Sequence, residues 1–122
     1  MLIALWIVNG VLAAVFLAVG LNKALRSKQA LQTNAAMAWT ENFPPAAIRL
    51  IGVVEVLGAL GLILPLATGI APLLTPLAAI GLVLVMTGAV VTHIRRRETP
   101  LPPLVLGLVA VVSAVLGFLV VL

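Results

Sequence analysis

The sequence predicts an all-α protein, an integral membrane four-helix bundle with antiparallel spans and short loops. Hydrophobic residues make up 64% of the chain and charged residues only 8%, whereas a soluble domain carries about 25% charged residues. The apolar residues are gathered into four runs, each close to the ~20 residues that cross ~30 Å of hydrocarbon. The basic residues form two short clusters beside these runs. We therefore expect residues 1–122 to form a single transmembrane domain.

The first span is predicted over residues 2–21. Basic residues follow it instead of preceding it, the opposite polarity to a cleavable signal peptide. We expect a retained span, with a removed signal sequence as the alternative. Residues 23–45 mix polar and apolar side chains, and Trp39 and Phe43 suit the headgroup level of a bilayer. This segment is predicted to be cytoplasmic and interfacial, and an ordinary solvated loop is the alternative.

Prolines divide the remaining spans. A helix start at Asn42–Pro45 predicts a second span over residues 46–64, ended by Pro65. After an uncharged turn, Pro72 opens a third span over residues 72–92. The stretch with Pro100, Pro102 and Pro103 is read as a stiff non-helical connection, and the fourth span as residues 104–122.

The charge distribution predicts an orientation. Six basic residues lie in the first and third loops, namely Lys23, Arg26, Lys28, Arg95, Arg96 and Arg97. The positive-inside rule places these loops in the cytoplasm, with both termini and the second loop extracytoplasmic. We assign these residues to topology or to lipid headgroups and exclude a nucleic-acid partner, because each cluster adjoins an apolar run.

Small residues predict the packing faces. Lipid tails are as apolar as leucine, so membrane helices associate through close backbone approach at small residues. Each predicted span carries a stripe of such residues: Gly10, Ala14 and Ala18; Gly52, Gly58 and Ala59; Gly81 and Gly88; and Gly107, Ala110, Ala114 and Gly117.

Glu55 is the one carboxylate well inside a span. A charge at mid-bilayer costs roughly 2.5–3.5 kcal/mol, so Glu55 should point inward and be either protonated or partnered. Asn9 lies about 12 Å and Glu55 about 14 Å below the outer surface, which makes Asn9 the candidate partner. Arg49 lies about 120° round the helix from Glu55 and is expected to extend to the headgroups.

Glu55, Asn9, His93 and Arg49 are the candidate ligand-binding residues. An intramembrane acid is functional by default, and the alternative is an acid that only ties helices together. His93 is read either as a ligand residue or as an interfacial side chain at the end of the third span.

Several chemistries are excluded within this chain. It has no cysteine, which rules out thiolate catalysis, disulfides and Fe–S clusters. A single histidine rules out bis-histidine haem. No catalytic or metal-binding motif is recognisable. We therefore assign no catalytic residue, no metal site and no cofactor held by the chain alone, and we lean against an enzyme.

The central spans resemble a known family. The runs Ile48–Pro65 and Thr68–Ala79, with the Gly20–Lys23 and His93–Arg96 stretches, are similar to the DoxX-like family of bacterial four-span membrane proteins. The resemblance implies an inner-membrane four-helix fold and an association with membrane redox systems. Arg49, Gly52, Glu55, Gly58 and His93 match positions that the family pattern marks, without an agreed catalytic role.

These observations lead to three functional hypotheses. The first is a non-catalytic accessory protein or subunit of a membrane redox system, which holds a quinone-like or lipid-like ligand near Glu55 or docks an oxidoreductase. Its partners would be the bilayer and such an oxidoreductase, or a second copy. The second is a small proton-coupled multidrug-type transporter working as a dimer, although those exporters carry their acid in the first span among aromatic residues. The third is a ligand-free structural bundle.

Overall fold

The computed structural model describes the backbone of residues 1–122 and the side chains of residues 1–34 and 37–122. Every regular element is helical, which confirms the all-α prediction. The elements in chain order are α1 (Leu2–Leu25), the short α2 (Lys28–Leu31), a 3₁₀ segment (Ala35–Asn42), α3 (Pro45–Thr68), α4 (Leu74–Arg95) and α5 (Leu101–Val121). The four long helices are each long and apolar enough to cross a bilayer, as the sequence predicts.

The four long helices form a closed ring in which α1 packs on α3, α3 on α4, α4 on α5 and α5 on α1. Of these contacts, the one between α1 and α3 is the most extensive. The centre is filled by Leu12, Phe16, Leu62 and Leu82. Large apolar side chains cover the outside, as expected of helices that face lipid. We call the end of the bundle that carries Lys23–Lys28 and Arg95–Arg97 the basic end.

The helix boundaries differ from the sequence prediction at the prolines. Pro65 does not end α3 but lies within it, and Gly69 ends the helix with a φ of 71°. In hydrocarbon a backbone group without a hydrogen bond is costly. Continuing the helix past Pro65 loses one backbone hydrogen bond, whereas ending it there would lose those of the last turn, so the helix continues. The 100–103 stretch is likewise not a non-helical connection, because α5 starts at Leu101. First-turn N–H groups have no intrahelical acceptor, so prolines fit there.

Some of the predicted small residues are sites of close packing. A Cβ atom added at Gly52 would lie 2.6 Å from both Gly20 O and Ala24 N, so α1 and α3 touch through their backbones. A Cβ added at Gly58 would lie 2.6 Å from Leu82 Cδ2, and one at Gly107 would lie 3.3 Å from Met86 Cβ. Ala59 and Ala114 are buried.

For other small residues, the predicted role in helix packing is wrong. A Cβ at Gly10, Gly81 or Gly88 would meet no atom within 4 Å, and Ala14 and Ala18 are exposed. Small residues are frequent throughout membrane helices, so their spacing alone does not identify the contacting face. The buried face of α1 instead consists of Leu5, Asn9, Leu12, Phe16, Gly20 and Lys23.

The contact between Gly20 and Gly52 predicts a position-specific loss of stability. Gly52→Leu should lower the free energy of unfolding by at least the ~1–3 kcal/mol typical of overpacking, because its side chain would meet backbone atoms that cannot rotate away. Gly10→Leu is the matched control, since its Cβ would meet open space. Unfolding of both variants in the same detergent measures the difference, and equal stability would contradict the backbone contact.

Candidate functional site

Lys23 of α1 and Glu55 of α3 form a buried ion pair, with 2.7 Å between Lys23 Nζ and Glu55 Oε1. Glu55 is 1% exposed, so it points inward as predicted. Each residue lies three positions after a glycine of the close crossing, Lys23 after Gly20 and Glu55 after Gly52. Residues three apart share a helix face. The backbone contact that brings α1 and α3 together therefore also brings the two charges together.

Asn9 is not the partner of Glu55, and that prediction is wrong. Asn9 Nδ2 donates a hydrogen bond of 2.9 Å to Leu62 O, and Asn9 Oδ1 accepts one from Ser113 Oγ. Leu62 lies about 10 Å along α3 from Glu55, at a rise of 1.5 Å per residue. The depth comparison fails because α3 continues to Thr68, four residues beyond the predicted span, which places Glu55 about 6 Å deeper below the outer surface. The start of α1 at Leu2 is as predicted. Asn9 instead joins α1, α3 and α5 in a separate polar contact.

Aromatic residues of the first loop lie close to the ion pair. Lys23 Nζ lies 5.3 Å from the centroid of the Trp39 ring, within the range of a cation–π interaction. Trp39 packs edge-on against Phe43, with ring centroids 5.4 Å apart. The first loop thus folds back over the bundle, and the assignment of Lys23 to lipid headgroups is wrong because its ammonium is held inside.

A cavity of about 260 Å³ lies beside this ion pair, between α3, α4 and the folded-back loop. Its polar lining side chains are Lys23, Thr92 and His93, and the remainder of its wall is apolar or aromatic. Gly88 lines the cavity and is exposed, as is Leu84. The cavity therefore opens sideways on the lipid-facing surface. We call it the lateral cavity.

Two basic side chains hold the loop in place over the lateral cavity. Arg96 Nη1 donates hydrogen bonds of 2.9 Å to Glu41 Oε1 and to Asn42 Oδ1, and its Nε donates to Glu98 Oε1 at 3.0 Å. Lys28 Nζ donates to Phe43 O at 2.8 Å. The hydrogen bond to Glu41 is the main reason that the pKa of Arg96 lies above its ordinary value. Arg96 and Lys28 thus have structural partners, and their role in topology stays a prediction.

The candidate ligand-binding residues fall in different places. Glu55 lies behind Lys23, and His93 lines the lateral cavity with its Nδ1 3.3 Å from Glu98 Oε1. Asn9 lies in the separate polar contact with α5, and Arg49 is exposed at the basic end on the wall of another cavity. Arg95 and Arg97 are also exposed. Among the described side chains, no group of three His, Cys, Asp or Glu residues could hold a metal ion.

Sequence reasoning missed Lys23 as the partner of Glu55, and it missed the aromatic cover. One signal was present: Asn9, Gly20 and Lys23 recur at helical spacing on one face of α1, and Lys23 is close enough to the first span to extend it. The position of Trp39 had no sequence signal, because it depends on how the first loop folds back.

Four apolar spans, an intramembrane ion pair and a cavity open to the lipid define a multi-pass membrane protein with an internal polar site. The chain belongs to the DoxX-like family, whose profile matches residues 7–116. That match runs from the first turns of α1 into the last turns of α5, so it covers the ion pair and the lateral cavity. No curated protein and no solved structure matches the chain.

The ion pair predicts an asymmetric response to substitution. Breaking a buried pair by removing one partner costs about 3–5 kcal/mol. Lys23→Met should approach that cost, because Glu55 is left deep in the bundle without its cation. Glu55→Gln should cost less, because the long side chain of Lys23 can extend toward the nearby basic end. Unfolding in detergent measures both losses.

The double variant Lys23→Met/Glu55→Gln provides the control. It should be more stable than Lys23→Met alone, since no uncompensated charge stays buried. Strictly additive losses would show that the two side chains do not interact.

Proposed function

We propose that this protein is a non-catalytic membrane subunit that holds the head of a quinone-like ligand in the lateral cavity. The observation that carries the proposal is a mostly apolar cavity, open toward lipid, that is lined by Lys23 and by Trp39, whose ring centroid lies 5.3 Å from Lys23 Nζ. A buried ammonium donates up to three hydrogen bonds, and only one goes to Glu55. The remaining donors suit the carbonyl oxygen of a ring ligand.

The size and shape of the lateral cavity favour a ring with a long apolar tail. Its volume of about 260 Å³ lies just below the ~300 Å³ at which small-molecule sites usually begin. A single substituted ring would enter it, while an isoprenoid or acyl tail would lie along the lipid-facing surface. Trp39 and Phe43 would pack against the ring, and Thr92 and His93 would bond its second polar edge.

The ion pair counts against the transporter alternative. A proton-coupled exporter needs a carboxylate that is free to exchange its proton for a cationic substrate. Here Lys23 occupies the carboxylate of Glu55 at 2.7 Å, so a cationic drug would have to displace a covalently tethered cation. Failure of a cationic drug to release protons from the solubilised protein would agree with this argument.

An accessory role follows from the few reactive groups around the lateral cavity. Lys23 is paired with Glu55, His93 is the one other described side chain on the cavity wall of a type that commonly acts in proton transfer, and the chain has no cysteine. A bound quinone would therefore exchange electrons with a partner oxidoreductase and not with this chain. Proteins that co-purify would reveal that partner, or a second copy of the chain.

Filling the lateral cavity tests the proposed ligand site. Gly88→Leu adds a side chain into open space on the cavity wall, so the protein should fold while the cavity is blocked. Native mass spectrometry of protein extracted gently from its own membrane should detect a quinone-like ligand on the wild type and about tenfold less on Gly88→Leu. A loss of that size corresponds to about 1.4 kcal/mol of binding free energy.

Gly81→Leu is the matched control for this experiment. Gly81 is also in α4, its Cβ would also meet open space, and it does not line the lateral cavity. It should keep the ligand. Wild-type protein without any small-molecule adduct would favour the ligand-free bundle. A phospholipid that is present on the wild type and on Gly81→Leu but lost on Gly88→Leu, in place of a quinone, would make the ligand of the lateral cavity lipid-like.

We further propose that the chain lies in a bacterial inner membrane with its basic end in the cytoplasm. The support is the concentration of Lys and Arg at that end, together with a turn between α3 and α4 that carries no charged side chain. Arg26, Arg49, Arg95 and Arg97 are exposed there and free to contact anionic headgroups.

Single-cysteine labelling tests the orientation, because the chain has no cysteine of its own. Ile70→Cys, in the turn between α3 and α4 and 74% exposed, should react in intact spheroplasts with a maleimide that does not cross membranes. Gln32→Cys, exposed at the basic end, should react only after the membrane is permeabilised. The reverse pattern would invert the proposed topology.

A further inference from the structure

A second cavity lies at the basic end, where α1, α2 and the start of α3 meet. It differs from the lateral cavity in that most of its lining residues are charged or polar. Its volume is about 340 Å³. Its charged and polar lining residues are Lys23, Arg26, Ser27, Lys28, Gln29 and Arg49. We call it the basic cavity. Of the side chains that the structure describes, no acidic residue lines it, whereas an ordinary solvated protein surface usually mixes charged residues of both signs.

The positive charge of the basic cavity is largely uncompensated. Among the described side chains, the ion pairs involve Lys23, His93 and Arg96 but neither Arg26 nor Arg49. Lys28 donates to the backbone carbonyls of Glu41 and Phe43, which offsets no charge. Only the charge of Lys23 is balanced, by Glu55. Three residues with uncompensated positive charge, Arg26, Lys28 and Arg49, therefore line one concave site.

We propose that the basic cavity binds the phosphate group of an anionic phospholipid. Arg26 directly follows the end of α1, Arg49 lies in the second turn of α3, and both line the cavity. A guanidinium matches phosphate oxygens with two parallel hydrogen bonds. Ser27 accepts a hydrogen bond from Ala30 N, so its hydroxyl proton is available for donation. Gln29 supplies a further amide donor. These groups together can satisfy several oxygens of one phosphate.

The surroundings favour a lipid over a soluble anion. Leu25 directly precedes Arg26 and is 78% exposed, and Leu50 directly follows Arg49 and is 64% exposed. Both sides of the basic cavity are thus flanked by outward apolar side chains, against which acyl chains can lie while the phosphate is held by the cations. A free phosphate would gain nothing from these leucines. The inference stands independently of whether the lateral cavity is occupied.

The expected loss on neutralising the site follows from the strength of such contacts. One Lys or Arg near a membrane surface contributes about fivefold to the attraction of anionic lipid, equivalent to about 1 kcal/mol. Arg26→Gln/Arg49→Gln should therefore weaken binding by about 25-fold if the two contributions add. Arg26→Lys/Arg49→Lys keeps the charge and should retain most of the binding affinity. It loses only the contribution of the bidentate hydrogen bonds that a guanidinium makes.

The experiment measures lipid binding by native mass spectrometry of full-length protein titrated with phosphatidylglycerol, with phosphatidylcholine as the zwitterionic comparison. The matched control is Arg95→Gln/Arg97→Gln, which removes the same charge from the same end of the bundle but from residues outside the basic cavity. Circular dichroism and size-exclusion chromatography confirm that each variant is folded. Thermal unfolding of the wild type with added inorganic phosphate, and separately with added phosphatidylglycerol, compares the stabilisation by a soluble anion with that by the lipid.

The proposal predicts preferential retention of phosphatidylglycerol by the wild type, a loss of about 25-fold in the Arg26/Arg49 glutamine variant, and a much smaller loss in the Arg95/Arg97 variant. Equal losses in the two glutamine variants would overturn it, because the attraction would then come from the overall positive charge of this end. Stabilisation by inorganic phosphate as strong as that by phosphatidylglycerol would also overturn it, in favour of a soluble anion.

Discussion

The crossing of α1 and α3 at Gly20 and Gly52 controls the placement of the charged groups in this protein. Hydrocarbon offers no solvation to an ammonium or a carboxylate, so Lys23 and Glu55 must reach each other directly. They can do so because the two helices touch through their backbones one turn away. The same contact fixes the register of α1 against α3, and that register decides that Asn9 meets Leu62 and Ser113 instead of Glu55.

The first loop is part of the site and not merely a connection between two spans. The 3₁₀ segment carries Trp39 to within 5.3 Å of Lys23, and Arg96 ties this segment to the end of α4. The loop therefore closes the lateral cavity on the side of the basic end and leaves it open toward lipid. Because Lys23 lines both cavities, one side chain separates an apolar compartment from a basic one.

The proposed binding role rests on this arrangement. The intramembrane acid is neutralised by a partner, and the groups around the lateral cavity can orient a ring but offer little redox chemistry of their own. Under the proposed function, the protein would present an amphipathic ligand to another protein. A phospholipid held in the basic cavity would anchor α1, α2 and α3 at the same end of the bundle, close to Lys23.

The sequence by itself determined the class of protein, the four spans and the inward position of Glu55. These follow from the solvent, because hydrocarbon requires long apolar helices and excludes an unpaired carboxylate from its surface. Only the tertiary structure decided the partner of Glu55, the buried face of α1, and the two cavities. Small residues occur on several faces of each helix, and helix ends shift where a proline is tolerated, as at Pro65 and Pro102. The pairing of side chains between helices depends on that register, and the register depends on backbone contacts between residues far apart in the chain.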